Sequence, residues 1–99
     1  MAAYVIVQVE VTDPERFGAY LRESPAIIKR YGGEYLARGG ETVILEGDEP
    51  ARRMVIIEFP SLEQAQAWYN SPEYQQAKTL RNGAAVGSLI AIDGCQRGS

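Results

Sequence analysis

Arg38 and Glu58 are the two side chains whose types would do most chemistry together. A guanidinium presents a rigid fork of donors that matches a carboxylate, so the pair makes either a structural ion pair or a site for a small anionic or polar ligand. Glu58 lies in Arg52–Phe59, an otherwise apolar alternating run. A carboxylate there is expected to be desolvated or paired, and it fits a general base or a polar anchor. A turn at 47–51 would pair Glu46 with Arg52, Ile44 with Met54 and Thr42 with Ile56. The same register carried through one bulge delivers Arg38 to Glu58, and one residue of slip would turn Arg38 to the other face. Tyr4 and Gln8 share the Glu58 face, with Tyr4 beside Glu58 and Glu10 at the far strand end. Glu10 and Glu58 are therefore a poor pair for a two-carboxylate mechanism. Trp68, with Tyr69 and Tyr74, could wall an apolar pocket, although helix-to-sheet packing is the commoner use of such residues. Arg38, Glu58, Gln8, Tyr4 and Trp68 are thus the candidate ligand-binding residues; no residue is assigned a catalytic role.

Much other chemistry is excluded. The 99 residues contain no His, which removes catalytic triads, His–Cys dyads, haem ligation by His and most zinc sites. A single Cys, Cys95, cannot form an internal disulfide or a multi-thiolate site, and only Arg97 is a basic neighbour. Ser61 and Ser71 have no evident base and stand where helix caps belong. No two glycines are spaced two apart, so the dinucleotide fingerprint is absent, as is the phosphate-loop Gly-Lys-[Ser/Thr]. Asp48-Glu49 reads as a solvated acidic turn, and neither a metal nor a cofactor is expected. Ten Lys+Arg against thirteen Asp+Glu give a net charge of −3, which argues against nucleic acid as a partner. The start, MAAYVIVQVEV, is too short and too polar for a signal peptide or membrane span, so a cytoplasmic location is expected.

The positioning elements follow from periodicity. Tyr4–Val11 alternates as a strand, with Val5, Val7, Val9 and Val11 on one side. Asp13-Pro14-Glu15 opens a helix carrying Phe17, Tyr20, Leu21, Ile28 and Tyr31 at helical spacing; Pro25 predicts a kink or break near Ser24, and Gly32-Gly33 a stop. Residues 34–46 read as extended, with Gly39-Gly40 either a two-residue hairpin or a bulge. Arg52–Phe59 is a strand stopped by Pro60. Ser61-Leu62-Glu63-Gln64 matches a capping box, and Ser71-Pro72-Glu73 opens another helix that ends at Asn82-Gly83. Val86–Asp93 is the last strand. The order β-α-β-β-α-β predicts a ferredoxin-like α+β fold over residues 1–95, an antiparallel sheet of order 4-1-3-2 with helices on one face. Residues 96–99 are expected to be a disordered tail or a cloning remnant. The face opposite the helices carries Ile6, Ile44, Met54 and Ile56, too apolar for water, so a second copy is expected to cover it.

These segments resemble a family. The runs AYVIVQVEVTDPERF, YGGEYLARGGET, LEGDEPARRMVIIEFPS, WYNSPEYQQAKTLR and IAIDG are similar to the mostly bacterial domain of unknown function 1330, over about residues 3 to 94. The resemblance implies subunits of the dimeric α/β barrel superfamily paired sheet to sheet, and it favours the bulge over the hairpin at Gly39-Gly40. That superfamily includes cofactor-free monooxygenases, haem-degrading enzymes, a lactone isomerase and ligand-binding regulatory domains. No catalytic residue carries over, because fold kinship does not assign chemistry. The leading expectation is a homodimeric module binding a small molecule in a semi-polar cavity. The alternatives are a cofactor-independent isomerase or monooxygenase acting on small organic acids or aromatics, and a purely structural dimer.

Overall fold

The structure is a computed structural model describing residues 1–49 and 52–95. The expected tail at 96–99 and part of the turn at 47–51 lie outside the described residues. The elements are β1 (Ala3–Val11), α1 (Pro14–Arg30), β2 (Glu34–Arg38), β3 (Arg53–Phe59), α2 (Leu62–Asn70), α3 (Pro72–Lys78) and β4 (Ala85–Asp93), with a 3-10 turn over Thr79–Arg81. The antiparallel sheet runs β2-β3-β1-β4, the predicted order.

Alternation decides what each strand buries. Val5, Val9, Val55, Ile57 and Phe59 point under the helices and are buried, as are Phe17, Ile28 and Trp68 above them. Trp68 and Tyr74 meet at 4.4 Å between ring centroids, and Phe59 lies 5.2 Å from Trp68. Burying one such side chain contributes roughly 1.5–3 kcal/mol, so this aromatic centre dominates the helix–sheet contact.

Helix starts form as the sequence predicts. The Asp13 side chain accepts from the Arg16 N–H at 3.2 Å, and Ser61 Oγ from Gln64 N–H at 3.0 Å. Ser71 Oγ accepts from Tyr74 N–H at 3.1 Å and donates to the Trp68 carbonyl at 2.7 Å, which joins α2 to α3. The Gln64 side chain, however, donates to the Tyr31 carbonyl at 2.9 Å, tying α2 to the end of α1.

Two expectations are corrected. First, α1 runs unbroken through Pro25. Proline removes one backbone bond at a cost of about 3 kcal/mol, but Phe17, Ser24 and Ile28 bury one continuous stripe against the sheet, and a break would lose it. Second, the extended stretch stops at Arg38, and the hairpin register through Ile44–Met54 is not formed. Glu34 pairs with Glu58 and Tyr35 with Ile57; then Ala37 faces Ile56 and Arg38 faces Val55. The bulge therefore falls at Leu36 and not at Gly39-Gly40. At Gly39 (φ +67°) the chain turns away from the sheet, and its N–H donates to the Met54 carbonyl at 2.9 Å. Beyond it lies an arm on which Val43, Ile44 and Leu45 are exposed. The radius of gyration, 14.0 Å, exceeds the roughly 12.6 Å expected for 99 compact residues, as a projecting arm requires.

Candidate functional site

The five candidate residues fall into two groups on opposite sides of the sheet. Tyr4, Gln8 and Glu58 share the uncovered face. Tyr4 pairs with Glu58 as expected, while Gln8 stands two pairs beyond Ile6, against Met54. Glu34 is the other neighbour of Glu58, so two carboxylates stand side by side there. Arg38 is on the helix side, because the extra residue at Leu36 inverts every following side chain. The expected Arg38–Glu58 contact is therefore not formed. Trp68 is 1% exposed in the core, on the same side as Arg38.

Arg38 and Trp68 line one cleft between α1 and the sheet, together with Tyr20, Leu21, Tyr35 and Arg53. Each part of the mouth has a local cause. Pro25 has no N–H, so the Leu21 carbonyl one turn earlier lacks its helical donor, and Arg38 Nη2 donates to that carbonyl at 3.4 Å. The Arg38 guanidinium also lies over the Tyr35 ring, 4.6 Å from its centroid. Arg53, two residues before Val55 on β3, reaches the same mouth and faces the Phe17 ring at 6.0 Å. It can do so because residue 39 is glycine: a Cβ there would collide with the Arg53 guanidinium, and the positive φ already disfavours a side chain.

Neither guanidinium has a carboxylate within 4.0 Å among the described residues, where the one ion pair is Arg30–Glu73, at 3.6 Å. The Tyr35 hydroxyl sits among these groups. Burial pushes its pKa above the usual 10.0, opposed by the Ser24 hydrogen bond and by the positive charges of Arg38 and Arg53. Deeper in, Tyr20 and Tyr74 share a hydrogen bond of 2.9 Å. Burial is also the largest cause holding the Tyr74 hydroxyl far above the ordinary phenol range, and the bond with Tyr20 adds to it. The cleft is thus lined by aromatic rings, the Tyr35 phenol among them, and crowned by two guanidiniums without a carboxylate partner among the described residues. The indole N–H of Trp68 is buried with no partner among the described residues. Such a constellation recognises an anion through charge-assisted bonds and holds its apolar portion against rings.

Sequence reasoning missed Arg53, Tyr35, Tyr20 and Ser24 as neighbours of Arg38. The signal that could have found them is Pro25, which frees a carbonyl opposite the strand. It also missed Val86, Ile90 and Ile92, which are 57%, 59% and 53% exposed on β4. Their alternation with Ser88 continues the uncovered face, where Ile90 pairs with Ile6 and Ile92 with Tyr4.

The fold and this arrangement define a ferredoxin-like α+β domain with a covered, arginine-bearing face and a bare apolar one. The chain belongs to the family described as domain of unknown function DUF1330, whose model matches residues 2–95. Among solved structures it is similar to the RPA0582 protein of unknown function from Rhodopseudomonas palustris, with 26% identity, a TM-score of 0.73, and coverage of 96% of this chain and 83% of that one. SnoaB, a cofactor-independent oxygenase from Streptomyces nogalater, shares the fold at 14% identity and a TM-score of 0.67, covering 96% and 94% of the two chains. So does a dimeric protein of unknown function from Bacteroides fragilis, at 11% identity and a TM-score of 0.63, covering 94% and 96%. No curated protein matches the sequence. Among the described residues no helix is long and apolar enough to cross a membrane.

Proposed function

We propose that this chain is a homodimeric, cytoplasmic small-molecule-binding module whose ligand site is the cleft between α1 and the sheet. The observation that carries the ligand site is the convergence of Arg38 and Arg53, both without an acidic partner among the described residues, on a mouth lined by aromatic rings. Two like charges held together are unfavourable until an anion joins them. Dimerisation rests on a second feature, the uncovered aliphatic residues Ile6, Ile56, Ile90 and Ile92, to which the arm adds Ile44 and Leu45. Monomers rarely leave a patch of this kind in water, and a second copy laid over it buries both patches. Tyr4, Gln8 and Glu58 then belong to the mating face and the polar rim of that interface, with Met54 inside it. A cofactor-independent enzyme draws support from fold likeness alone, and fold does not carry chemistry.

A thermal-shift screen of small metabolites tests the ligand site. A ligand at 100 times its dissociation constant adds about 2.7 kcal/mol to the native state. The shift is expected in the wild-type protein and absent in Arg38→Met. A hit that stabilises both proteins equally, or none at all, counts against the cleft as the site.

A further inference from the structure

We infer that the cleft selects a small aromatic carboxylate, its carboxylate held between Arg38 and Arg53 and its ring against Tyr35, Tyr20 and Phe17. This rests on the proposed ligand site and adds the chemical class of the ligand.

Charge excludes most alternatives. Among the described residues no Asp or Glu lines the cleft, so a cationic or amine-bearing ligand finds no counter-ion there, whereas two guanidiniums can take an anion. The anchoring of Arg38 leaves its fork in use only once: Nη2 is taken by the Leu21 carbonyl, and the remaining donors lie over a ring that offers no hydrogen-bond acceptor in its plane. A planar, two-oxygen acceptor is the group that a guanidinium binds through paired parallel bonds.

The surroundings then choose carboxylate over phosphate. A phosphate dianion needs many donors, commonly backbone N–H groups at a helix start. Here α1 contributes the side chains of Phe17, Tyr20, Leu21 and Ser24, the Phe17 N–H is already given to the Asp13 carbonyl, and the walls are otherwise Val, Ile and aromatic carbons. A singly charged ligand with an apolar body matches one wet end and one dry end.

Size limits it further. As it stands the cleft encloses only about 30 Å³, room for a water molecule or two. Arg38 is exposed and Arg53 half-buried, and both close the mouth by lying across Tyr35 and Phe17. Swinging the two side chains outward, with Arg38 giving up its bond to the Leu21 carbonyl, would uncover those ring faces. The ligand ring replaces the guanidinium planes on the aromatic stack, and the guanidiniums follow its carboxylate. The smaller the ring, the less the cleft must open beyond its present volume of about 30 Å³.

The test uses benzoate as probe on the full chain, with benzamide as its uncharged isostere and formate and phosphate as ions without a ring. Trp68, the one tryptophan, lies in the cleft wall and reports occupancy by its emission; the melting temperature gives a second readout. Benzoate is expected to raise the melting temperature and perturb Trp68 saturably, and benzamide to do neither. Arg38→Met and Arg53→Met are each expected to weaken benzoate at least about tenfold. Arg38→Lys, which keeps the charge and loses the fork, should retain only part of the binding and guards against a misfolded Met variant. Equal effects of benzamide and benzoate would overturn the carboxylate assignment while leaving the cleft as a site. Equal effects of formate or phosphate would mean an adventitious ion only, and also overturn it. If benzoate is inert but the metabolite screen still yields an Arg38-dependent shift, the ligand class is wrong and the site stands. If neither gives a shift, both fall.

Discussion

On the covered face of the sheet, Arg38 and Arg53 stand over aromatic rings with no acid among the lining residues. On the uncovered face, Glu10, Glu34 and Glu58 stand among Ile6, Ile56, Ile90 and Ile92 with no Lys or Arg on the paired strand positions. The same strands supply both faces, separated only by the period-two alternation of the backbone. A strand thus delivers chemistry to one side or the other by parity, and one extra residue, Leu36, decides where a cation goes. Without it, Arg38 would face Met54 among the acids; with it, Arg38 faces Val55 beneath α1.

The largest effect is expected from emptying the covered face. Trp68→Ala should destabilise the fold by about 3–5 kcal/mol, because a fully packed aromatic leaves a cavity that its neighbours cannot fill. Urea denaturation measures this, and the loss should be independent of protein concentration. Ile90→Ala, on the uncovered face, should instead lower stability only through association, so its effect should vary with concentration.

Ser71→Ala should cost about 1–2 kcal/mol in the same assay, since one hydroxyl caps α3 and closes α2. Tyr74→Phe should cost about 1 kcal/mol by removing the bond to Tyr20. It should also change the alkaline limb of a pH titration. The folded Tyr74 hydroxyl ionises above its ordinary value of 10.0, so its contribution is complete below about pH 10 and declines as pH rises further. The phenylalanine variant should lose less stability over that limb than the wild-type protein.

The smallest effect is expected at the outer surface. Glu73 accepts from the Tyr31 hydroxyl at 2.9 Å, and that bond, with Arg30 nearby, holds its carboxyl below the ordinary 4.5. A depressed carboxylate stabilises the fold above its unfolded value, and the effect is lost as pH falls through the folded one. Glu73→Gln should therefore slightly flatten the stability profile below about pH 4.5, and nowhere else.

Most of the fold was legible because each strand and helix states its own period. Val5-Val7-Val9 and Val55-Ile57-Phe59 name the covered face, and Ser61 and Ser71 name the helix starts. The candidate site was less legible, because it depends on register. Gly39-Gly40 draws the eye as the place for an irregularity, yet the bulge sits at Leu36, a residue with no special backbone preference. A bulge is set by what both neighbouring strands bury, here Tyr35 against Ile57 on one side of it and Arg38 beside Val55 on the other. The break expected near Pro25 does not form for a related reason: tertiary burial along α1 outweighs one missing bond. What Pro25 does show is a freed Leu21 carbonyl, and only the folded sheet brings Arg38 to it.

Light scattering on the wild-type protein and on Ile56→Asp at tens of micromolar tests most directly whether the two faces have different jobs. Twice the chain mass of 10.9 kDa is expected for the wild-type protein, and the single-chain mass for the variant, which would bury an unpaired charge in the interface. A wild-type protein that scatters as one chain, or an Ile56→Asp variant that stays paired, would overturn the assignment of the uncovered face to dimerisation.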